Sequence, residues 1–136
     1  MARSVLIVDD SAVIRRTLRE VFRDDPDLEV CGEAENGREA IERARQLRPD
    51  LIVLDLSMPV MNGLDAARAL KRLMPEVSLI MYSAFGDKVV EHQARLIGIS
   101  GVVSKFEPAS ALVNEARIVL TQTSAFNPSY AGERGR

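Results

Sequence analysis

Five polar residues follow short apolar runs in this chain. Asp9 and Asp10 come after Ser4–Val8, Asp55 after Leu51–Leu54, Ser83 after Val77–Tyr82, and Lys105 just after Gly101–Val103. If the runs are neighbouring strands, three carboxylates, a hydroxyl and an ammonium meet on one rim. Three carboxylates in one pocket repel one another unless a cation intervenes. A hard divalent ion with oxygen ligands relieves that repulsion, and Mg2+ is well suited because it takes few protein ligands beside waters and phosphate oxygens. A carboxylate next to such an ion can attack a phosphoryl group and form an acyl phosphate. The remaining need is neutralisation of the equatorial phosphoryl oxygens: the metal can take one, Lys105 another, and the Ser83 hydroxyl with nearby backbone N–H groups a third.

The elements that must hold these residues alternate in type. The apolar runs Ser4–Val8 and Leu51–Leu54 are continuous, as expected of strands buried on both faces. Between them the spacing predicts a helix over 11–24 with Ile14, Leu18, Val21 and Phe22 on one stripe, stopped by Asp24-Asp25-Pro26-Asp27. A strand over 28–33 and a helix over 38–47 follow, the latter carrying Ala40, Ile41, Ala44 and Leu47 and ending at Arg48-Pro49-Asp50. Helices are expected at Leu64–Leu73 and over 87–97, the second ending near Gly98; a last one opens at Pro108 and runs to about Leu120. Strands four and five are Val77–Tyr82 and Gly101–Val103.

This (βα)5 alternation implies an α/β flavodoxin-like three-layer sandwich, with a parallel five-stranded sheet and helices on both faces. In strand order 2-1-3-4-5 the topological switch point lies between strands one and three, beside Asp9, Asp10 and Asp55. Residues 1–121 are expected to form the domain. Residues 122–136 lose the periodicity and gain Gly, Ser and Pro, so they read as a flexible C-terminal tail or linker stub.

Four segments, Val5-Leu6-Ile7-Val8-Asp9-Asp10, Leu54-Asp55-Leu56-Ser57-Met58-Pro59-Val60-Met61-Asn62-Gly63, Tyr82-Ser83-Ala84 and Val103-Ser104-Lys105, resemble the response-regulator receiver family of two-component signalling. The resemblance spans roughly residues 4–120. It implies that a sensor histidine kinase or histidine phosphotransfer domain phosphorylates Asp55 in the presence of Mg2+ (or Mn2+). Asp10, Asp55 and the backbone carbonyl of Ser57 would hold the metal, with Asp9 acting directly or through water. Lys105 would pair with the phosphoryl group, and Ser83 would turn inward to hydrogen-bond it. Such a protein signals by a phosphorylation-dependent conformational change to a downstream protein, with a phosphorylation-dependent homodimer as one option. Its only chemistry is self-catalysed phosphoryl transfer and dephosphorylation. Val13 and Thr17, off the core stripe of the first helix, would face the kinase.

Three positions depart from the family. Val102 stands where many receivers carry Tyr or Phe, so an aromatic swing is replaced by Ser83 and backbone shifts in the 84–88 loop. Phe106 stands where a cis proline is common; a cis bond there costs ~2.5–4 kcal/mol, so a trans bond with a rearranged loop competes with a strained cis one. Ser57 and Phe85 flank the phosphoryl position, and Phe85 would shield an acyl phosphate from water.

Each residue also has a plainer reading. Asp9-Asp10 with Ser11 can serve as a strand end and helix cap. Lys105 alone would be a solvated lysine, and Gly63 supplies an otherwise strained backbone conformation before the third helix. His92 reads as a surface residue, the methionines as core or loop filler, and the lone Cys31 as a buried structural thiol. A flavodoxin-like cofactor protein would need a phosphate loop where Asp9-Asp10-Ser11 stands. A phosphohydrolase working through an aspartyl phosphate would need an acid at Ser57. A receiver acting only as an interaction module remains a third alternative.

The length suits one domain, and a formal net charge of −2 argues against a nucleic-acid binder. No apolar run approaches the ~20 residues that cross a membrane. One cysteine and no secretory signal point to the cytoplasm. No output motif follows residue 120, as expected of a stand-alone receiver or of a chain cut before an output domain.

Overall fold

A computed structural model describes residues 2–56, 61–84 and 88–125, the side chains of 123–125 excepted. Five strands, β1 (Arg3–Val8), β2 (Leu28–Ala34), β3 (Leu51–Asp55), β4 (Ser78–Ser83) and β5 (Gly101–Ser104), form one parallel sheet in the order β2-β1-β3-β4-β5. The helices are α1 (Ala12–Arg23), α2 (Gly37–Leu47), α3 (Gly63–Leu73), α4 (Lys88–Ile97) and α5 (Ala109–Ala125). Parallel strands must be joined by crossovers, and the right-handed crossover rule puts helices on both faces.

The continuous apolar runs have the cause expected of them. Along β1, Val5 and Ile7 pack with α1 and α5, while Leu6 and Val8 pack with α2, α3 and α4. The same alternation sends Leu51 and Val53 one way and Ile52 and Leu54 the other. Leu18 and Phe22 of α1 are buried against the first face, and each such side chain contributes ~1.5–3 kcal/mol when removed from water. The second face is lined by the small residues Ala40, Ala44, Ala66 and Ala67, which let α2 and α3 approach closely.

Local chemistry sets the element ends. Ser11, Asn36 and Asn62 cap α1, α2 and α3, their side chains accepting from the N–H groups of Ile14, Glu39 and Asp65 at 3.3, 2.8 and 2.9 Å. Arg48 ends α2 in a left-handed cap at φ 50°, with its N–H donating to the Ala44 carbonyl, and Gly98 takes φ 109° after α4. Two expectations are corrected. α5 continues to Ala125, past Leu120 where the apolar periodicity fades, so the helix crosses the expected 121/122 boundary; residues 126–136 of the expected tail lie outside the described residues. Cys31 is half-buried rather than buried, packed from the edge strand β2 against the α2–α4 face, and a register shift between Val5 and Leu6 sets it opposite no β1 residue.

Candidate functional site

The site follows from the strand order. β1 pairs with β2 on one side and with β3 on the other, so the connections after β1 and β3 part and leave a crevice at their carboxyl ends. Asp9 and Asp10 follow β1, and Asp55 ends β3. One ligand oxygen from each of the three lies within 4.8 Å of the others. Asp9 and Asp55 are 1% and 4% exposed, whereas Asp10 is open to solvent, so the cluster is buried below and open above.

Lys105 enters from the β5–α5 loop and lies between two of the acids. Its Nζ stands 2.8 Å from Asp9 Oδ2 and 3.3 Å from Asp55 Oδ1. Burial alone would push the ammonium down, but contact with Asp9 and the charges of Asp9 and Asp55 outweigh this and hold it above its ordinary value. Lys105 is therefore a fixed positive charge at neutral pH. Its backbone N–H donates to the Ser83 carbonyl at 2.8 Å, which fastens the lysine loop to the end of β4. Ser83 is 2% exposed and pairs in register with Ser104, one residue from Lys105.

Asp9, Asp10, Asp55, Ser83 and Lys105 thus gather at one rim as expected. Ser57 and Phe85 lie outside the described residues. Val102 is half-buried against the α2–α4 face. The Lys105–Phe106 peptide is trans, and the Phe106 ring is 84% exposed. Its N–H donates to Ser104 Oγ at 3.0 Å and Ser104 N–H to Glu107 Oε2 at 3.4 Å, so the loop turns on side-chain hydrogen bonds without a proline. Val13 is 72% exposed and Thr17 exposed, on the outer side of α1. His92 is exposed, as expected.

Gly63 needs correction. Its φ is not positive, so conformational freedom is not its purpose. A Cβ there would lie 2.3 Å from the Asp55 carbonyl oxygen and 2.7 Å from Leu56 Cα. Glycine is required for space, because the start of α3 presses directly on the end of β3, with Gly63 N–H donating to Leu56 O at 2.8 Å.

Four neighbours, Arg15, Glu33, Arg19 and Tyr82, are given no role by the sequence alone. Arg15 donates from Nη1 to the Asp9 backbone carbonyl at 2.6 Å and from Nε to Glu33 Oε1 at 2.8 Å. The other Glu33 oxygen meets Arg19 Nε. Burial tends to raise the Glu33 carboxyl, but hydrogen bonds from Arg19 and Arg15 and their charges hold it below its ordinary value. Tyr82 is 6% exposed and its ring centroid lies 5.8 Å from Lys105 Nζ, a cation–π contact. Burial, opposed by the Lys105 charge and assisted by that of Asp9, pushes its phenol up.

Fold and site together define a doubly wound α/β protein with an acidic, lysine-bearing crevice at its switch point. Residues 5–117 match the response regulator receiver domain family, and the chain belongs to it, as a signalling domain. It is 43% identical over 108 residues to a protein-glutamate methylesterase/protein-glutamine glutaminase of Pyrococcus abyssi, a match covering 79% of this chain and 29% of that protein. The chain therefore spans less than a third of that relative's length. It is 38% identical over 110 residues to the chemotaxis protein CheY of Thermotoga maritima, covering 80% of this chain and 91% of that one. The crystal structure of the response regulator domain of Thermotoga maritima CheB superposes with a TM-score of 0.83 at 30% identity, covering 89% of this chain and 98% of that one.

Proposed function

We propose that this receiver takes a phosphoryl group from a histidine kinase or histidine phosphotransfer domain onto Asp55 in a Mg2+-dependent (or Mn2+-dependent) reaction, and signals through the change that follows. The observation that carries this reading is Lys105 held between Asp9 and Asp55, with Asp10 open beside them.

The donor set fits a hard divalent ion. It is made only of carboxylate oxygens, and Asp9 Oδ2 is a buried oxygen whose neighbour is the Lys105 ammonium at 2.8 Å. Asp9, Asp10 and Asp55 would hold the ion, joined by the Ser57 carbonyl. The bound ion would offset the carboxylate repulsion and the charge on a phosphoryl oxygen.

The protein's own groups do the rest. An Asp55 oxygen attacks phosphorus as the P–N bond of a phosphohistidine breaks. The imidazole keeps the bonding pair and is reprotonated from solvent, so the acyl phosphate forms without a protein base. Lys105 neutralises a second phosphoryl oxygen, and the Ser83 hydroxyl donates to it after turning inward. With Val102 in place of an aromatic, the change is read through Ser83 and the 84–88 segment. Val13 and Thr17, exposed on α1 beside the rim, meet the donor protein. The same reading places the protein in the cytoplasm, with a downstream protein rather than nucleic acid as its target. Among the described residues no helix is long and apolar enough to cross a membrane.

Incubation with Mg2+ and acetyl phosphate tests the proposal. Intact-mass analysis should show one added phosphoryl group in the wild type and none in Asp55→Asn. Modification that survives this substitution, or none in the wild type, overturns it.

A further inference from the structure

Asp9 is held from several sides, by Ala34 of β2 and by Ser11 and Arg15 at the start of α1. Its N–H donates to the Ala34 carbonyl at 3.0 Å, and its Oδ1 accepts the Ser11 N–H at 2.9 Å. Its own carbonyl receives Arg15 Nη1 at 2.6 Å. The same guanidinium is turned by Glu33, whose carboxylate is shared with Arg19. The Arg15 side chain is 16% exposed, so the contact lies mostly behind the rim, out of water.

We propose that Arg15, oriented by Glu33, is a positioning residue for the metal and phosphoryl site. The inference rests on the metal-binding reading given above. A hydrogen bond to the Asp9 carbonyl fixes the rotation of the Asp9–Asp10 peptide. That peptide sets the direction in which the Asp10 carboxylate leaves the strand, while Ser11 and Lys105 hold the two oxygens of Asp9. Arg15 thus acts on two ligands without touching either carboxylate. The task needs a planar fork, with one nitrogen on a carboxylate and another on a carbonyl; a lysine ammonium on a flexible stem supplies the charge but not that geometry. Groups one step removed from metal ligands usually change affinity by roughly 10–100-fold when lost.

Two plainer roles make different predictions. If Arg15 matters only as a positive charge near the crevice, Arg15→Lys behaves as wild type. If it merely ties α1 to β2, substitutions lower the unfolding midpoint but leave the Mg2+ affinity of the folded protein unchanged.

The test is calorimetric titration of Mg2+ into the full chain carrying Arg15→Lys, Glu33→Gln or both. We expect the Mg2+ Kd to rise roughly 10-fold in Arg15→Lys, and by a smaller factor in Glu33→Gln. The double variant should be no worse than Arg15→Lys, because the two residues act through one contact. With acetyl phosphate, half-saturating Mg2+ should move by the same factor while the rate at saturating Mg2+ recovers. An unchanged Kd in Arg15→Lys, beside normal wild-type binding, overturns this inference and leaves the metal reading intact. Absence of Mg2+ binding in the wild type overturns both. Should Arg15→Lys fail to fold, Glu33→Gln decides: a several-fold rise in Kd supports the inference and an unchanged value overturns it.

Discussion

The two ends of the sheet use the same residue types in opposite ways. At the amino ends of the strands, the carboxylates are satisfied piecemeal. Asp50 accepts the Ser4 N–H at 2.8 Å and lies 3.8 Å from Arg3 Nε. Asp25, buried in the α1–β2 turn, accepts the Asp27 N–H at 2.9 Å and meets Arg117 Nε of α5 at 2.5 Å. At the carboxyl ends, Asp9 and Asp55 share Lys105, and Asp10 has no ion pair among the described residues. The first arrangement is what carboxylates do when they hold a fold together. The second leaves negative charge crowded in a crevice, which costs stability unless another cation arrives.

The largest expected effect separates the two ends by function. Lys105→Ala should slow phosphoryl acceptance from acetyl phosphate by ~100-fold, the usual cost of losing one group that neutralises developing charge. Arg117→Ala should leave that rate unchanged and instead cost about 2 kcal/mol in urea unfolding, because it strips the partner from a buried carboxylate. Comparable loss of rate in both variants would erase the distinction.

A smaller effect tests the sign of the contrast. Asp25→Asn should destabilise by about 1.5 kcal/mol, since the amide loses the charge that faces Arg117. Asp10→Asn should raise the metal-free melting temperature by roughly 2 °C, because one of three repelling charges is gone. Adding Mg2+ should then stabilise the wild type more than Asp10→Asn, through binding to the native state. Destabilisation by Asp10→Asn without metal would mean that the crevice is not under the strain described.

The fold was legible because both-face burial writes strands as unbroken apolar runs such as Val5–Val8 and Leu51–Leu54, and capping residues punctuate the helices. The placement of the candidate site was legible because a doubly wound sheet exposes its carboxyl ends, where Asp9, Asp10, Asp55, Ser83 and Lys105 stand. Side chains joined across long separations were not. Arg15 lies among other arginines on an amphipathic helix and reads as solvated surface, while its partner Glu33 is 18 positions away on another element. Nothing in α1 announces that link. Gly63 was correctly singled out for the wrong cause: sequence shows that a glycine is present, not whether it supplies an unusual φ or room for the Asp55 carbonyl. The last turn of α5 was missed because Thr121 to Ala125 carry no apolar stripe.

Glu33 makes the last and smallest test, because it stands behind the acidic rim yet is held like a structural carboxylate. Burial acts to raise its pKa, and the hydrogen bonds and charges of Arg19 and Arg15 prevail and lower it from 4.5. A depressed carboxyl contributes stability above its unfolded pKa and loses it as pH falls through the folded one. Wild type should therefore exceed Glu33→Gln in urea midpoint at pH 7, with the gap closing below pH 4.5. The gap will be modest, since the Glu33 side chain is 28% exposed and solvent screens the pair. A gap that persists unchanged down to about pH 3 would show that ionisation of Glu33 is not its source, since Gln matches Glu in shape. It would then be the pair of acceptor oxygens facing Arg15 and Arg19, where Gln offers an NH2 in place of one, rather than the charge, that steadies β1 beneath the acidic crevice.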